Sequence, residues 1–361
     1  RNHYAFYAVN TPVDGFDTDM ETFLGLYNGF ENPQAVFTGK MGNSIASGWQ
    51  PMAAHQVKVS LAPGEERRFN FVLGYVEVPQ AEKFVAPSVI NKAPAKALLE
   101  KLTTDEQIAE AFDALKKHWD NLLSAYVLTT PDEKLGRMVN IWNPYQAERN
   151  FQFSRNLSYY ATGTFRGVGF RDTAQDVLSM IPFDTARSRE KICLLLTQQY
   201  GDGHVNHYFF PTEGYDPVTS IHSDDHLWIV HTVYQQLLEE GSTDFLSERV
   251  SYYDGGEGTV LEHIKRSIDF TMAHLGERGF PLMLRSDWND QLFRVCRQGK
   301  GESIWTAMQF CLVLSDMAAI CDLIGEDGQK YRDIYESQKA NINARAWDGE
   351  WSVSYTHLRA H

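Results

Sequence analysis

The segment Ser286-Asp287-Trp288-Asn289-Asp290 places two carboxylates and an indole within five residues. This combination is typical of a sugar site, because the apolar face of a pyranose stacks on an indole while carboxylates bind its hydroxyl groups. A protonated carboxylic acid can also give its proton to a departing glycosidic oxygen. Asp290 is therefore a candidate acid. The alternative is an ordinary turn, in which Asp and Asn side chains bind backbone groups.

A second polar segment, residues 163–176, combines several glycines with Arg166, Arg171 and Asp172. The glycines allow a tight backbone path. Arginine binds hydroxyl groups or an anion through two parallel hydrogen bonds, which suits a substrate loop. The alternatives are a surface charge for each arginine and a helix N-cap for Asp172 or Thr173.

Two histidine-rich segments follow, at residues 201–211 and 222–228. Their residues of zinc-binding type are His204, His207, His222, Asp224, Asp225 and His226. The spacing of His204 and His207 is i, i+3, but their Gly-rich and aromatic surroundings do not predict a regular HExxH helix. We therefore expect no metal. Helix N-capping by the two aspartates competes with substrate contact as their role.

Composition and charge exclude several classes of function. The chain has 361 residues, of which 43% are hydrophobic and 13% aromatic, enough for substantial cores. The 33 basic and 47 acidic residues give a net charge of −14, which argues against nucleic acid or an anionic membrane as a partner. The apolar stretch from Ile304 to Ile324 is interrupted by Gln309, Ser315, Asp316 and Asp322. It predicts a buried helix rather than a membrane span.

Cysteine usage and the first residues bear on the compartment. Cys193, Cys296, Cys311 and Cys321 lack CxxC spacing, which predicts buried free thiols rather than disulfides or zinc ligands. The opening residues do not have the charged and apolar regions of a signal peptide, and no initiator Met precedes them. We expect a cytoplasmic protein whose sequence begins here within a longer chain.

The pattern of apolar residues divides the chain into three parts. Residues 1–80 predict part of a β-sandwich, with strands at 35–37, 56–61 and 68–75 and a turn at 63–66. Residues 81–130 predict a helical linker, with helices at 96–102 and 106–125. Residues 131–361 predict an all-α toroid with helices at 133–148, 173–180, 184–199, 224–240, 257–275, 303–324 and 328–346. Neither βαβ alternation nor a Gly-rich phosphate loop is present, which disfavours Rossmann and TIM folds.

Three motifs, in this order along the chain, carry a resemblance to a known family. They are Phe170-Arg171-Asp172-Thr173-Ala174-Gln175-Asp176, Ser223-Asp224-Asp225-His226-Leu227-Trp228 and the Asp287-Trp288-Asn289-Asp290 segment. Supporting blocks lie at residues 140–146 and 301–305. The chain resembles the inverting cellobiose-phosphorylase type enzymes of glycoside hydrolase family 94 over nearly all of residues 20–351.

The resemblance implies a fold and a reaction. The fold is a β-sandwich and a helical linker before an (α/α)6 barrel, here partial. In the implied reaction, inorganic phosphate attacks the anomeric carbon of a β-glucoside with inversion and releases α-glucose 1-phosphate. Phosphate is a co-substrate, and no cofactor is expected. A homodimer is possible in such a family.

The resemblance also implies roles for individual residues. Asp290 is the implied general acid, and the subsite of the non-reducing sugar is lined by Arg166, Arg171, Asp172, Trp288 and, less certainly, Asp287. A phosphate nucleophile needs no general base, so one acid suffices. That acid must be protonated to act, for which burial or the neighbouring Asp287 would have to raise its pKa. Arginines must offset the charge of the anion.

The chain departs from the family pattern in two places. Family members are considerably longer, and the resemblance places their phosphate-binding residues and most of the acceptor-sugar site in a later part of the barrel. The sequence after Trp351 leaves the pattern. We therefore expect the isolated chain to aggregate and to lack phosphorylase activity.

Two other classes of function remain open. An inverting glycoside hydrolase on a similar toroid needs a second catalytic carboxylate, for which Asp172 and Asp225 are the nearest candidates. A carbohydrate-binding protein without catalysis is the other alternative. Phosphate-dependent product formation separates the first from a phosphorylase, and insensitivity to loss of Asp290 would indicate the second.

Overall fold

The computed structural model describes residues 3–48, 50–154, 167–211, 215–294 and 297–355. The chain forms two compact units, Arg1–Lys117 and His118–His361. The border between them lies inside the predicted linker of residues 81–130. The predicted boundaries at 80 and 130 stay a prediction.

The described part of the first unit contains three antiparallel ribbons, three short helices and most of a longer one, α4, which ends beyond the border at Lys117. Its elements are β1 (His3–Val9), β2 (Gly15–Asp19), α1 (Met20–Leu24), α2 (Gln34–Thr38), β3 (Pro51–Gln56), β4 (Phe71–Glu77), β5 (Phe84–Ala86), β6 (Val89–Ile90), α3 (Ala93–Leu99) and α4 (Asp105–Leu123). β1 pairs with β4, β2 with β3, and β5 with β6. An apolar groove of about 440 Å³ is lined by Phe71, Val72 and Leu73 of β4 and by Ile108, Phe112 and Leu115 of α4.

Two of the predicted strands in this unit are wrong. Residues 35–37 lie in α2, because Pro33 precedes the helical turn and Gly39 ends it in the left-handed region at φ 64°. The strand predicted at 56–61 ends at Gln56. Beyond it the backbone N–H of Lys58 donates to the Asp14 carboxylate at 2.7 Å instead of to a neighbouring strand. The turn at 63–66 is confirmed by a hydrogen bond from Glu65 N to Ala62 O of 3.0 Å.

Helices dominate the described part of the second unit, and each of the seven predicted helices has a counterpart. They are α5 (Glu133–Arg137), α6 (Asn143–Phe153), α7 (Phe170–Met180), α8 (Thr185–Leu196), α9 (Asp225–Glu240), α10 (Val260–Ala273), α11 (Ile304–Ile324) and α12 (Gln329–Arg345). A π-helical turn, Met138–Trp142, joins α5 and α6, so the first helix continues beyond its predicted end at 148. Short ribbons connect the helices: β7 (Val168–Gly169), β8 (Tyr208–Phe209), β9 (Arg249–Ser251) and β10 (Glu257–Thr259).

The core of this unit surrounds α9, which packs against α7, α8, α10 and α11. The buried apolar residues of these helices form one cluster, in which Phe170, Leu227 and Phe310 are fully buried. Burying a side chain of this size contributes roughly 1.5–3 kcal/mol relative to leaving it exposed. The helices α7, α9 and α11, whose first turns lie next to the polar motifs, all contribute to this buried cluster.

The helix α11 is long and apolar enough to cross a membrane by length and composition alone. Half of its most apolar window is buried within the protein, and Phe310, Leu314 and Met317 are fully buried in the core. Its N-cap is Ser303, whose side chain accepts a hydrogen bond from Thr306 N. It is a core helix of the second unit, as the sequence predicts.

Short backbone pairings bring the polar segments together at one end of the core. Val168 pairs with Phe209 and Gly169 with Tyr208, and the N–H of Phe170 donates to His207 O at 3.0 Å. A Cβ on Gly167 would lie 2.7 Å from Phe209 O, so the predicted tight path requires glycine at this position. The start of α7 is thereby fixed beside the histidine segment.

Three cysteines lie in the described residues, and all three are free thiols as expected. Only Cys321 is buried, since Cys193 and Cys311 are half-buried, so the prediction of full burial is wrong for these two. Burial and a hydrogen bond to Glu248 raise the pKa of Cys193 to about 12, which keeps this thiol protonated and unreactive. Cys296 lies outside the described residues.

His226, the second residue of α9, should make the second unit sensitive to acid. Its Nε2 lies 2.7 Å from Thr271 Oγ1 in α10, and burial lowers its pKa to about 3. The folded pKa lies below the unfolded value, so the unfolded state binds the extra proton between them. Stability that is fully present above pH about 6.5 is lost as the pH falls, by up to about 1.4 kcal/mol per pH unit.

The comparison that isolates this effect is urea unfolding of the wild type and His226→Gln at pH 7.5 and pH 5. Glutamine keeps a hydrogen-bonding partner for Thr271 but does not titrate. We expect the loss of unfolding free energy between the two pH values to be about 2 kcal/mol smaller in the variant. Equal losses in both proteins would show that His226 is not the source.

Candidate functional site

A buried arginine lies where three polar segments meet. Arg171 is the second residue of α7, and its side chain is 7% exposed. Its Nη1 donates to both oxygens of Asp224 at 3.3 and 3.2 Å and to the carbonyl oxygen of Asp287 at 3.4 Å. Its Nη2 donates to Asp290 Oδ1 at 2.8 Å. One guanidinium therefore joins the start of α7, the start of α9 and the segment around Trp288.

Asp224 is fully buried at the N-cap position of α9, but its side chain makes no capping hydrogen bond. Its carboxylate accepts from Arg171 and from Trp228 Nε1 at 3.0 Å instead. The capping role considered for this residue is therefore wrong. Burial, reinforced by the adjacent Asp225, raises the pKa of Asp224 to about 7 against the opposing charge of Arg171.

Asp225 is also buried, and it holds two stacked imidazoles. Its Oδ2 accepts from His207 Nδ1 at 2.8 Å and lies 3.7 Å from His222 Nδ1. The rings of His207 and His222 stack, with centroids 3.7 Å apart and planes inclined by 17°. Burial disfavours the charge of Asp225, yet the hydrogen bond from His207 lowers its pKa below the usual value.

The pKa values of the two histidines move in opposite directions because their partners differ. Burial alone would lower the pKa of His207, but the hydrogen bond and charge of Asp225 raise it. Burial lowers the pKa of His222, whose Nδ1 donates to the carbonyl oxygen of Ser220 at 3.1 Å. We name Arg171, Asp224, Asp225, Asp290, His207 and His222 the Arg171 cluster.

Asp287 supports the loop rather than facing solvent. Its buried side chain accepts from Asn289 N at 2.9 Å and from Ser303 Oγ at 2.7 Å, so each carboxylate oxygen has a protein donor. Ser286 Oγ donates to Asn289 O at 2.7 Å and closes the turn. These contacts hold the backbone of residues 286–289 and so position Asp290, the next residue. Substrate binding by Asp287 stays a prediction.

The start of α11 anchors this loop to the core. Ser303 both caps the helix by accepting from Thr306 N at 3.0 Å and donates to Asp287. Thr306 Oγ1 lies 2.9 Å from Ser223 Oγ, and Ser223 N donates to Ser286 O at 2.9 Å. The segment before α9 and the loop before α11 are therefore held by one buried hydroxyl network.

Three indoles extend from the cluster towards solvent. Trp288 is 51% exposed, and its ring stacks on Trp305 with centroids 6.0 Å apart and planes inclined by 22°. Trp305 is 6.2 Å from Trp228, which binds Asp224. The exposed face of Trp288 offers the apolar platform on which a sugar ring can stack.

Asp290 begins a 3-10 turn, Asp290–Arg294, and is the most accessible carboxylate of the Arg171 cluster. Its side chain is 50% exposed, so the burial expected for a protonated acid is wrong. Its nearest ionisable neighbours are Arg171 at 2.8 Å and His222, whose Nε2 lies 3.7 Å from Oδ1. Asp287 turns away to bind Ser303.

The two remaining predicted residues have different outcomes. Arg166 lies outside the described residues, and its role stays a prediction. Asp172 is half-buried in the first turn of α7. The capping role considered for Asp172 or Thr173 is wrong, because the helix begins at Phe170 with Gly169 as its N-cap.

Among the described residues, the closest set of metal-binding types is His207, His222 and Asp290, with one ligand atom of each within 4.8 Å of the others. The near-parallel stack is poorly suited to a shared ion, since the lone pair of each imidazole lies in its own ring plane and the two rings lie face to face, inclined by only 17°. His204 and His226 contact Asp202 and Thr271 instead. The absence of a metal stays a prediction.

Sequence reasoning did not find the stacked histidines or the role of Ser303. The signals available were the recurring histidines at 204, 207 and 222 and the Ser-Ile-Trp run that begins at Ser303. Neither signal indicates which residue is contacted, because His207 and His222, and likewise Asp287 and Ser303, are more than a dozen positions apart in the sequence.

Two family models match the chain. Residues 118–358 match the catalytic domain of the glycosyl hydrolase 94 superfamily, and residues 1–105 match the glycosyl hydrolase 94 supersandwich domain. The chain belongs to the glycosyl hydrolase 94 family. The supersandwich match thus lies within the first unit. The catalytic-domain match lies within the second unit, which also contains the Arg171 cluster.

Several curated relatives of this chain are phosphorylases by name, and another, from Rhizobium meliloti, is named a cyclic beta-(1,2)-glucan synthase. The N,N'-diacetylchitobiose phosphorylases of Vibrio proteolyticus and Vibrio furnissii are 31% and 32% identical, covering 96% and 97% of this chain but 44% and 45% of their own length. The solabiose phosphorylase of Paenibacillus borealis is 30% identical, covering 97% of this chain and 42% of its own length. The chain therefore spans less than half the length of these relatives.

Loss of Arg171 should destabilise the second unit through the charge it leaves behind. In Arg171→Met, the buried Asp224 and Asp225 lose their guanidinium partner, which costs roughly 3–5 kcal/mol of unfolding free energy. Adding Asp224→Asn removes one unpaired charge and should recover part of that loss. Urea unfolding at pH 8 checks both variants. A loss below about 1 kcal/mol in Arg171→Met, or no recovery in the double variant, would contradict the central role of this ion pair.

Proposed function

We propose that the protein to which this chain belongs is an inverting glycoside phosphorylase acting on a β-linked disaccharide or oligosaccharide. Inorganic phosphate displaces the glycosidic oxygen and yields an α-sugar 1-phosphate, with glucose as the proposed sugar. The carrying observation is the convergence of all three motif segments on Arg171, with Asp290 beside an exposed indole. Membership of the family and the names of its curated relatives support the same reaction class.

In this proposal, Asp290 is the general acid. It is the accessible carboxylate of the cluster, and its carboxyl group can reach a substrate that lies on Trp288. Phosphate is already a nucleophile, so no second carboxylate is needed to activate water. Arg171 orients Asp290, and its own charge is balanced by Asp224. The charge of the phosphate must therefore be offset by other cations.

Donor-sugar binding is proposed for Trp288, Arg166, Arg171 and Asp172. Trp288 supplies stacking, while the polar residues supply hydrogen bonds to sugar hydroxyls. The buried oxygens of Asp287 are engaged by Ser303 and Asn289, which favours a supporting role for this residue. The proposed scaffold is an (α/α)6 barrel, of which α7 to α11 around α9 would be part.

The runner-up, an inverting hydrolase, needs a second carboxylate that can activate water. Asp225 is 1% exposed, and its Oδ2 is bound to His207. Those contacts disfavour Asp225 as a base. Asp172, the other candidate, lies half-buried in the first turn of α7. A carbohydrate-binding protein without catalysis is the remaining alternative.

Product analysis decides between these functions. The chain, extended to the length of its relatives, is incubated with candidate disaccharides with and without phosphate. The synthetic direction is screened with glucose 1-phosphate and N-acetylglucosamine 1-phosphate against a panel of acceptor sugars, because the relatives differ in the sugar they are named for. Sugar phosphate formed only with phosphate supports the proposal. Hydrolysis without phosphate supports the runner-up.

Asp290→Asn in this extended enzyme should abolish phosphorolysis while keeping the fold. The change removes the transferable proton from a side chain of nearly the same shape, and a loss of roughly 10²–10⁴-fold or more is expected. Glu277→Gln, which alters an exposed carboxylate outside the cluster, serves as the control. Activity of Asp290→Asn within about tenfold of wild type would place the acid elsewhere, with Asp287 the next candidate.

Trp288→Ala should weaken binding of the donor sugar by roughly 1–3 kcal/mol through lost stacking, and Arg166→Ala by a similar amount through lost hydroxyl contacts. Michaelis constants in the synthetic direction measure both effects. Trp351→Ala removes another exposed indole, 59% exposed, and should leave them unchanged. Unaltered constants in both test variants would mean that the donor sugar binds at a different place.

A further inference from the structure

Asp290 is half-exposed, so the group that would favour its protonated form has to be found among its neighbours. A general acid must be protonated before it can act, and burial does not favour that state here. One of its neighbours, Arg171, donates to its carboxylate at 2.8 Å. The other neighbour is the Nε2 atom of His222, 3.7 Å from Asp290 Oδ1.

The hydrogen-bond partners of His222 define which of its nitrogens carries a proton. Its Nδ1 lies 3.1 Å from the carbonyl oxygen of Ser220, which can only accept, so Nδ1 is the donor. A neutral imidazole with a protonated Nδ1 presents a lone pair at Nε2. That lone pair faces Asp290. A neutral Nε2 acceptor can form a hydrogen bond with Asp290 only when the carboxyl group is protonated.

The surroundings of His222 keep it neutral. The side chain is 6% exposed, and burial lowers its pKa. His207 is stacked on it at 3.7 Å, and the hydrogen bond and charge of Asp225 raise the pKa of His207, so that a charge on this ring opposes one on His222. The charged groups facing His222 are therefore His207 and Asp225 on one side and Asp290 on the other, with Arg171 bonded to Asp290.

We propose that His222 is a positioning residue that holds Asp290 in its protonated form, through a hydrogen bond from the carboxyl group to Nε2. This rests on the proposed role of Asp290 as the acid. The present separation exceeds a hydrogen bond by less than 1 Å, and catalytic hydrogen bonds often shorten when substrate binds. A half-exposed side chain has room for such a movement.

In this proposal, His222 binds the protonated form of Asp290 and Arg171 binds the ionised form. In phosphorolysis, the bond between the anomeric carbon and the glycosidic oxygen breaks, and its electron pair stays on that oxygen. A phosphate oxygen forms the new bond to the anomeric carbon. The proton passes from Asp290 to the leaving oxygen. The resulting carboxylate is stabilised by Arg171, while His222 remains neutral throughout.

The test uses His222→Phe and His222→Gln in the extended enzyme. Phenylalanine keeps a ring stacked on His207 but removes the acceptor, so kcat at neutral pH should fall by roughly tenfold or more. The basic limb of the pH–rate profile should also move to lower pH. Glutamine offers an amide oxygen as an acceptor and should restore part of both effects. His204→Phe is the matched control, since His204 is also a stacked imidazole, 4.0 Å from Tyr200, but lies outside the cluster.

A merely structural role for His222 would lower activity equally at every pH, and a superimposable profile in His222→Phe would overturn the proposal. Asp290→Asn distinguishes a failure of the acid assignment from a failure of the role proposed for His222. If that variant retains activity, the acid assignment and the role of His222 both fail. If it is inactive and the His222→Phe profile does not move, only the role of His222 fails.

A second measurement does not depend on turnover. Nitrogen NMR of labelled protein reports the tautomer of His222, with its signal assigned by its absence in His222→Gln. We expect a neutral ring with the proton on Nδ1 at neutral pH. A positively charged ring, or a proton on Nε2, would overturn the proposal even if the phenylalanine variant does not fold.

Discussion

The ion pair between Arg171 and Asp224 is the interaction on which the rest of the site depends. Both side chains are buried, and removing two charges from water costs several kcal/mol per ion before their attraction offsets it. Such a pair contributes little net stability compared with an apolar pair of the same volume. Its effect is on geometry, because a planar guanidinium has fixed donor directions. Those directions set where Asp224, Asp287 and Asp290 can lie relative to α7.

The two carboxylates of the Trp288 loop show how neighbouring residues acquire different properties. Asp287 has each oxygen bound by a protein donor and is buried, whereas Asp290, three residues later, is half-exposed. The difference comes from the helix cap at Ser303, which binds one carboxylate and thereby turns the other outward. Two chemically identical side chains thus have one structural and one proposed chemical role.

Helix positions and the membership of the motifs in one site were accessible from the sequence. Long apolar periodicity predicts α9 and α11 well because packing and local propensity agree there. The strand predicted at residues 35–37 is wrong because three apolar residues fit a strand or one helical turn equally well, and the flanking Pro33 and Gly39 decide for the helix. The stack of His207 on His222 could not be predicted, because it depends on a third residue, Asp225, that holds the first ring.

The row of indoles from Trp228 through Trp305 to Trp288 has an optical consequence. Centroid separations of 6.2 and 6.0 Å are short enough for excitation energy to pass between the rings. Light absorbed by an inner indole can therefore be emitted from, or quenched at, the exposed one. One end of the row contacts the buried Asp224 and the other faces solvent, so its fluorescence reports both on the ionic centre and on whatever covers Trp288, without any attached label.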